Sequence, residues 1–171
     1  MGEAVIVSVA RTPIGRAFRG AFNDTDAAAL SGHAVSEAVK RAGIDPALVE
    51  DVIIGAASQQ GNQSYNIGRL TAASAGLPMS VAGMSVDRQC SSGLMALAIA
   101  SKQVSHDGMD VVVGGGVESI SLTQTKHKST YRTRSDSVLK YAPHMWMQMI
   151  ETAEVVAERY NINRDAEDEF A

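Results

Sequence analysis

The sequence predicts an α/β protein built on a parallel sheet with helices on both faces. Three observations predict it. Residues 4–10, 52–57, 81–86 and 111–113 are short, continuous apolar runs, as expected for strands covered on both sides. Helical patterns separate them, and the alternation holds through Val117 at the spacing of βαβ units. The chain's one cysteine, Cys90, follows the third run, and in such sheets a reactive site lies beyond the carboxyl ends of the strands.

Taken in order, residues 4–10 (AVIVSVA) form the first expected strand, ended by Arg11-Thr12-Pro13-Ile14-Gly15. Residues 15–24 read as a loop with two glycines. Asp24 or Thr25 can cap the next helix. Ala27, Leu30, Ala34, Val35, Ala38, Val39 and Ala42 keep the spacing of one apolar helical face, and Gly43 stops it. Asp45-Pro46 opens a short helical turn. Residues 52–57 are the second strand and residues 58–65 a polar loop. Residues 66–75 are an alanine-rich helix closed by Gly76 and Pro78.

The stretch 81–117 then reads as strand, tight turn, helix, strand. From Cys90 the residues are small or apolar on nearly every side, which predicts a buried helix. Gly108 is its expected stop, and 111–113 the next buried strand. Gly114-Gly115-Gly116 allows a close backbone approach.

After Ser121 the character changes. Residues 123–141 carry Lys126, Lys128, Arg132, Arg134 and Lys140 against the single acid Asp136. Such a run fits a phosphate-bearing ligand or, more commonly, a solvated surface. Met149, Ile150, Ala153, Val156, Ala157 and Tyr160 form one helical face. That face fits packing or the lining of an acyl pocket by soft methionines. Asn163 can cap a last helix, which Ala171 interrupts, so the chain reads as cut inside an element.

Composition narrows the function classes. The chain has 171 residues, 45% of them hydrophobic and 20% charged, enough for a domain with a real core. A net charge of -4 gives no argument for nucleic acid. One cysteine excludes an intrachain disulfide, fits a reducing compartment and supplies no zinc cluster. No apolar run reaches the ~20 residues of a membrane span. No secretory signal is visible, so a cytoplasmic protein is expected. Neither GxGxxG after a strand nor a Walker-type loop is present.

Cys90 carries the chemistry. The first turn of a helix has free N–H groups and a partial positive charge. Both favour thiolate, the nucleophilic form, and the same amides can donate to an oxyanion. A lone cysteine is most often a small, inert core residue. Position alone leaves both readings open.

A family resemblance separates them. The run SVDRQCSSGLMALAIA followed by DVVVGGGVESIS resembles the thiolase family around its acylated cysteine. The opening VIVSVARTPIGRAFRGAF resembles the thiolase N-terminus, and Asn66 with Arg69 in NQSYNIGRLTAASAGLP resembles the segment before the cysteine. MIETAEVVAERYNINRDAEDEFA resembles the helical part of the family's loop domain.

The resemblance implies a layered α-β-α-β-α fold in the full enzyme. This chain would supply the first βαβαβαβ half, residues 1–121, and the truncated start of an inserted loop domain for CoA and acyl groups, residues 122–171. It implies an acyl-CoA C-acyltransferase in fatty acid metabolism. Cys90 would be its nucleophile and a backbone N–H there part of its oxyanion hole. Coenzyme A enters as substrate, with no cofactor and no metal. The resemblance implies that the activating histidine and the acid–base cysteine lie in a C-terminal half outside this chain, within the same polypeptide or on a separate one, so this piece alone is expected to be inactive. None of His33, His106, His127 or His144 sits in a matching motif. A homodimer or tetramer is implied, with acyl-CoA and CoA as partners.

One departure stands out. Biosynthetic acetoacetyl-CoA thiolases carry a His-Met pair before the TAE helix, and here the pair is Gln148-Met149. These two are the candidate substrate-binding residues, and the lost histidine points to longer acyl chains. Two other readings of the fold remain: a ketoacyl or hydroxymethylglutaryl-CoA synthase-like condensing enzyme, and a non-catalytic subunit.

Overall fold

Strand β1 (Asp51–Gly55) is buried along its whole length because helices cover both of its faces. It is the middle of a three-stranded parallel sheet, between β2 (Ala82–Val86) and β3 (Val112–Gly116). Asp51 lies opposite Ala82 and Val112, and Gly55 opposite Val86 and Gly116, so the three carboxyl ends are level. Side chains alternate along a strand. Val52 and Ile54 therefore face one core with residues of helices α1 (Ala27–Ala42) and α2 (Ile67–Ser74), including Val35, Val39, Ile67 and Ala72. Ile53 faces the other core with Ala96 and Ala100 of helix α3 (Ser92–His106). Full burial of one such aliphatic side chain contributes about 1.5–3 kcal/mol.

The computed structural model describes residues 2–171, in two compact units that meet in sequence between Ser129 and Thr130. The first unit holds the sheet, α1–α3 and a short helix α4 (Ile120–Thr123). The second, residues 130–171, holds α5 (Asp136–Tyr141), α6 (Met149–Tyr160) and α7 (Arg164–Phe170).

Several sequence expectations are met within one or two residues. α1 ends at Gly43, whose φ of 68° is the left-handed stop that glycine tolerates. Asp45 caps the 3-10 turn Pro46–Leu48 through Ala47 N–H at 2.9 Å. Asn163 caps α7 by accepting from Ala166 N–H at 2.9 Å, and Arg164 pairs with Asp168 one turn on, at 2.6 Å.

Other expectations are corrected. Residues 4–10 form no strand; Val5, Ile6, Val7 and Val9 are each more than 70% exposed. A strand exists only through a paired neighbour, and the sheet's ladder does not extend to this run. β3 is a half-buried edge strand, not a buried one. α3 is covered on one side only: Leu94 and Leu97 are 71% and 45% exposed. Helix α1 is capped by Asp26, which accepts from Ala28 N–H, and not by Asp24 or Thr25. Those two residues are spent in a turn where Thr25 N–H donates to Phe22 O at 3.1 Å. The apolar face of α6 is not packed: Met149, Ile150 and Tyr160 are exposed and no residue of the helix is buried. For residues 4–10, α3 and α6 the sequence pattern states a capacity for burial, and the described residues do not supply the surface that would use it.

Candidate active site

The site is built at the carboxyl edge of the sheet. β2 ends at Val86, and residues 87–91 turn the chain into α3. Two side chains shape that turn. Asp87 accepts from Gln89 N–H at 2.7 Å. Ser92 Oγ accepts from Arg88 N–H at 2.9 Å and donates to Gln89 O at 2.6 Å. Gln89 is held by these bonds at φ 49°, a left-handed conformation uncommon for a non-glycine residue.

Cys90 follows directly and is exposed, with its thiol free. It stands one residue ahead of the N-cap Ser91, a correction to its expected place inside the first helical turn. The turn hydrogen bonds at Ser91 N–H and Ser92 N–H delay the helix, whose ladder opens at Met95 N–H to Ser91 O, 2.9 Å. The Ser91 side chain makes no cap bond, so the first-turn amides are not closed off by it. An exposed sulfur beside uncapped helix amides leaves a nucleophile within reach of donors that can bind an oxyanion.

The floor under this turn is glycine. A Cβ on Gly55 would come within 2.2 Å of Ser92 C, and one on Gly116 within 3.1 Å of Gly93 Cα. The leading end of α3 thus rests backbone on backbone at the ends of β1 and β3. This is the close approach that the run Gly114-Gly115-Gly116 anticipates.

A second anchor holds β2. Asn66, the N-cap of α2, accepts from Arg69 N–H at 3.2 Å and donates from Nδ2 to Gly83 O at 2.8 Å. Arg69 donates to Val81 O and, at 2.9 Å, to Met79 O. The two residues singled out before Cys90 therefore tie α2 to the strand that leads into the cysteine turn.

Gln148 and Met149 lie in the second unit, as the N-cap and first residue of α6. Gln148 N–H donates to Glu151 at 3.1 Å in a capping box. Among the histidines, His106 sits at the far end of α3 from Cys90, about 20 Å away for a helix of that length. Among the described residues no group of His, Cys, Asp and Glu is arranged to hold a metal, and no helix is long and apolar enough to cross a membrane.

Among the buried polar side chains that the sequence does not single out is Gln63, which has no solvent exposure. Its only signal is a glutamine in a polar loop, which carries no distance information.

A parallel α/β unit that presents an exposed cysteine where a strand end meets a helix defines a class of layered fold with a reactive-cysteine turn. The chain belongs to the thiolase family: the family description "Thiolase, N-terminal domain" matches residues 4–171. It is 38% identical over 171 residues to a 3-ketoacyl-CoA thiolase of Bacillus subtilis, covering all of this chain and 43% of that protein. It is 36% identical over 186 residues to a 3-oxoadipyl-CoA/3-oxo-5,6-dehydrosuberyl-CoA thiolase of Escherichia coli, again over all of this chain and 46% of the other. The crystal structure of a Bacillus anthracis acetyl-CoA acetyltransferase matches with a TM-score of 0.80 and 36% identity, over 99% of this chain and 45% of that one. The chain thus spans a little under half the length of these relatives.

Proposed function

We propose that this chain is the N-terminal part of an acyl-CoA C-acyltransferase in which Cys90 is the acylated nucleophile. The observation that carries the reading is the exposed sulfur immediately ahead of a helix whose leading end rests on Gly55. The Cys90 thiolate attacks the keto carbon of a 3-oxoacyl-CoA. The tetrahedral alkoxide collapses, and the bond between the keto carbon and its neighbour breaks. Acetyl-CoA leaves as its enolate and takes up a proton. The thiol of CoA then attacks the Cys90 thioester, releasing a shortened acyl-CoA and restoring the thiolate. Run backwards, the same steps are a Claisen condensation. Covalent catalysis here divides one difficult displacement into two easier ones.

In this reading residues 1–121 are the nucleophile half-domain and residues 122–171 begin the loop domain that meets CoA and acyl groups. The base for Cys90 and the acid for the enolate come from beyond these residues, so this piece alone is inactive. The complete protein is a cytoplasmic homo-oligomer of fatty acid metabolism. The test is to mix full-length protein with a 3-oxoacyl-CoA, quench and digest it. An acyl mass increment on the peptide carrying Cys90 is expected; an unmodified Cys90 with product formed would refute the assignment.

Gln148 and Met149 tune acyl-chain preference in this proposal. Gln148 replaces the histidine of the short-chain pair, and Met149 presents a flexible apolar surface. Full-length protein is expected to turn over longer 3-oxoacyl-CoAs with a higher kcat/KM than acetoacetyl-CoA. A strict preference for acetoacetyl-CoA in steady-state assays would remove this assignment.

A further inference from the structure

We propose that Gln63 and Glu118 form a clamp that positions the Cys90 turn, an inference that rests on Cys90 being the nucleophile. Gln63 is fully buried, and both its amide nitrogen and its amide oxygen are hydrogen-bonded. Nε2 donates to Ser58 O at 2.8 Å and to Glu118 Oε1 at 2.7 Å, and Oε1 accepts from Ser119 N–H. The other Glu118 oxygen accepts from Ala57 N–H at 2.9 Å. Three of these hydrogen bonds join the segment leaving β1 to the segment leaving β3, and the fourth, to Ser58 O, fixes Gln63 within the first.

The location of those segments gives the clamp its role. Gly55 and Gly116 are the last residues of β1 and β3, and they are the floor on which Ser92 and Gly93 rest. Ala56 N–H donates to Val86 O, and Val117 N–H to Gly55 O, both at 3.0 Å, so all three strand ends are cross-bonded there. Backbone-on-backbone contact has no side chain to absorb a shift. A displacement of either strand end passes into the start of α3 and so to Cys90. Apolar residues could fill the same volume, but a charge-assisted bond to an amide fixes direction as well as distance. Glu118 and Gln63 are positioning residues here, acting on the reacting sulfur through the glycine floor.

The test uses the full-length protein and the Glu118→Gln variant, which keeps the side chain's volume. Its NH₂ must face either Ala57 N–H or Gln63 Nε2, two donors, so one arm of the clamp is lost. We expect kcat for cleavage of a 3-oxoacyl-CoA to fall about 30-fold with KM within about twofold, since a 1 Å misplacement of a reacting group costs on the order of 10²-fold. Alkylation of Cys90 by iodoacetamide should slow in parallel. Gln63→Met should behave likewise, and the double variant should be no worse than the more impaired single one, because a broken clamp breaks once. Wild-type kcat and alkylation rates in folded variants, or additive losses in the double variant, would overturn the proposal. If Glu118→Gln fails to fold, Glu118→Asp, which keeps the charge at shorter reach, carries the comparison; misfolding of both would assign the pair to folding and overturn the positioning role. Transfer abolished by Cys90→Ser but untouched by Glu118→Gln sinks the clamp alone. Transfer retained in Cys90→Ser sinks the underlying reading.

Discussion

Replacing Cys90 with serine in the full-length protein is expected to lower kcat/KM for acyl transfer by about 10⁴-fold or more, the scale on which enzymes lose activity when the nucleophile is removed. The substitution exchanges one atom at an exposed position, so folding should be nearly unaffected. Surface changes of this kind stay within about 0.5 kcal/mol. The loss is chemical. A thiol ionises near neutral pH and its thioester remains reactive towards CoA; a hydroxyl does neither without a strong neighbouring base. The measurement is steady-state cleavage alongside a thermal melt. An unchanged melt with abolished transfer is the expected pair. Appreciable transfer by the serine variant would show that another group carries the acyl chain.

The second large effect is expected at Gly55, which touches no substrate in any reading. Gly55→Ala would place a methyl carbon 2.2 Å from Ser92 C, 2.3 Å from Ser92 O and 2.5 Å from Gly93 N. All three are backbone atoms at the start of α3, so no rotamer change relieves the clash. The helix must lift or the strand must bend. Overpacking of this kind costs about 1–3 kcal/mol of stability. The displaced turn carries Cys90, and misplacement by about 1 Å is enough to cost on the order of 10²-fold in rate. Denaturant unfolding and kcat, measured together on the full-length variant, should fall together. A variant with wild-type stability and kcat would mean that α3 does not rest on β1 in solution. Gly43→Ala, at the end of α1, makes the contrast, since nothing lies within 4 Å of a Cβ there and only its left-handed φ is strained.

What the sequence determined by itself was local. Punctuation by Gly43, Asp45-Pro46 and Asn163, the short apolar runs that become β1–β3 and the cysteine after the third apolar run all act over a few residues. Propensity, capping and covalent order are properties of a segment, so they are legible without a fold. Tertiary structure decided everything that depends on a partner. Residues 4–10 read as a strand and form none, because an apolar run cannot name the neighbour it pairs with. The uniformly apolar helix after Cys90 has one face on the sheet and Leu94 and Leu97 in the open, because burial is a property of two surfaces. Cys90 itself is visible in the sequence. Its aim is not: that comes from Ser92, Gly55 and Gly116, and from a glutamine that meets its glutamate across more than fifty residues of chain. Long-range contacts of that kind leave no local period, and only the folded chain brings them together.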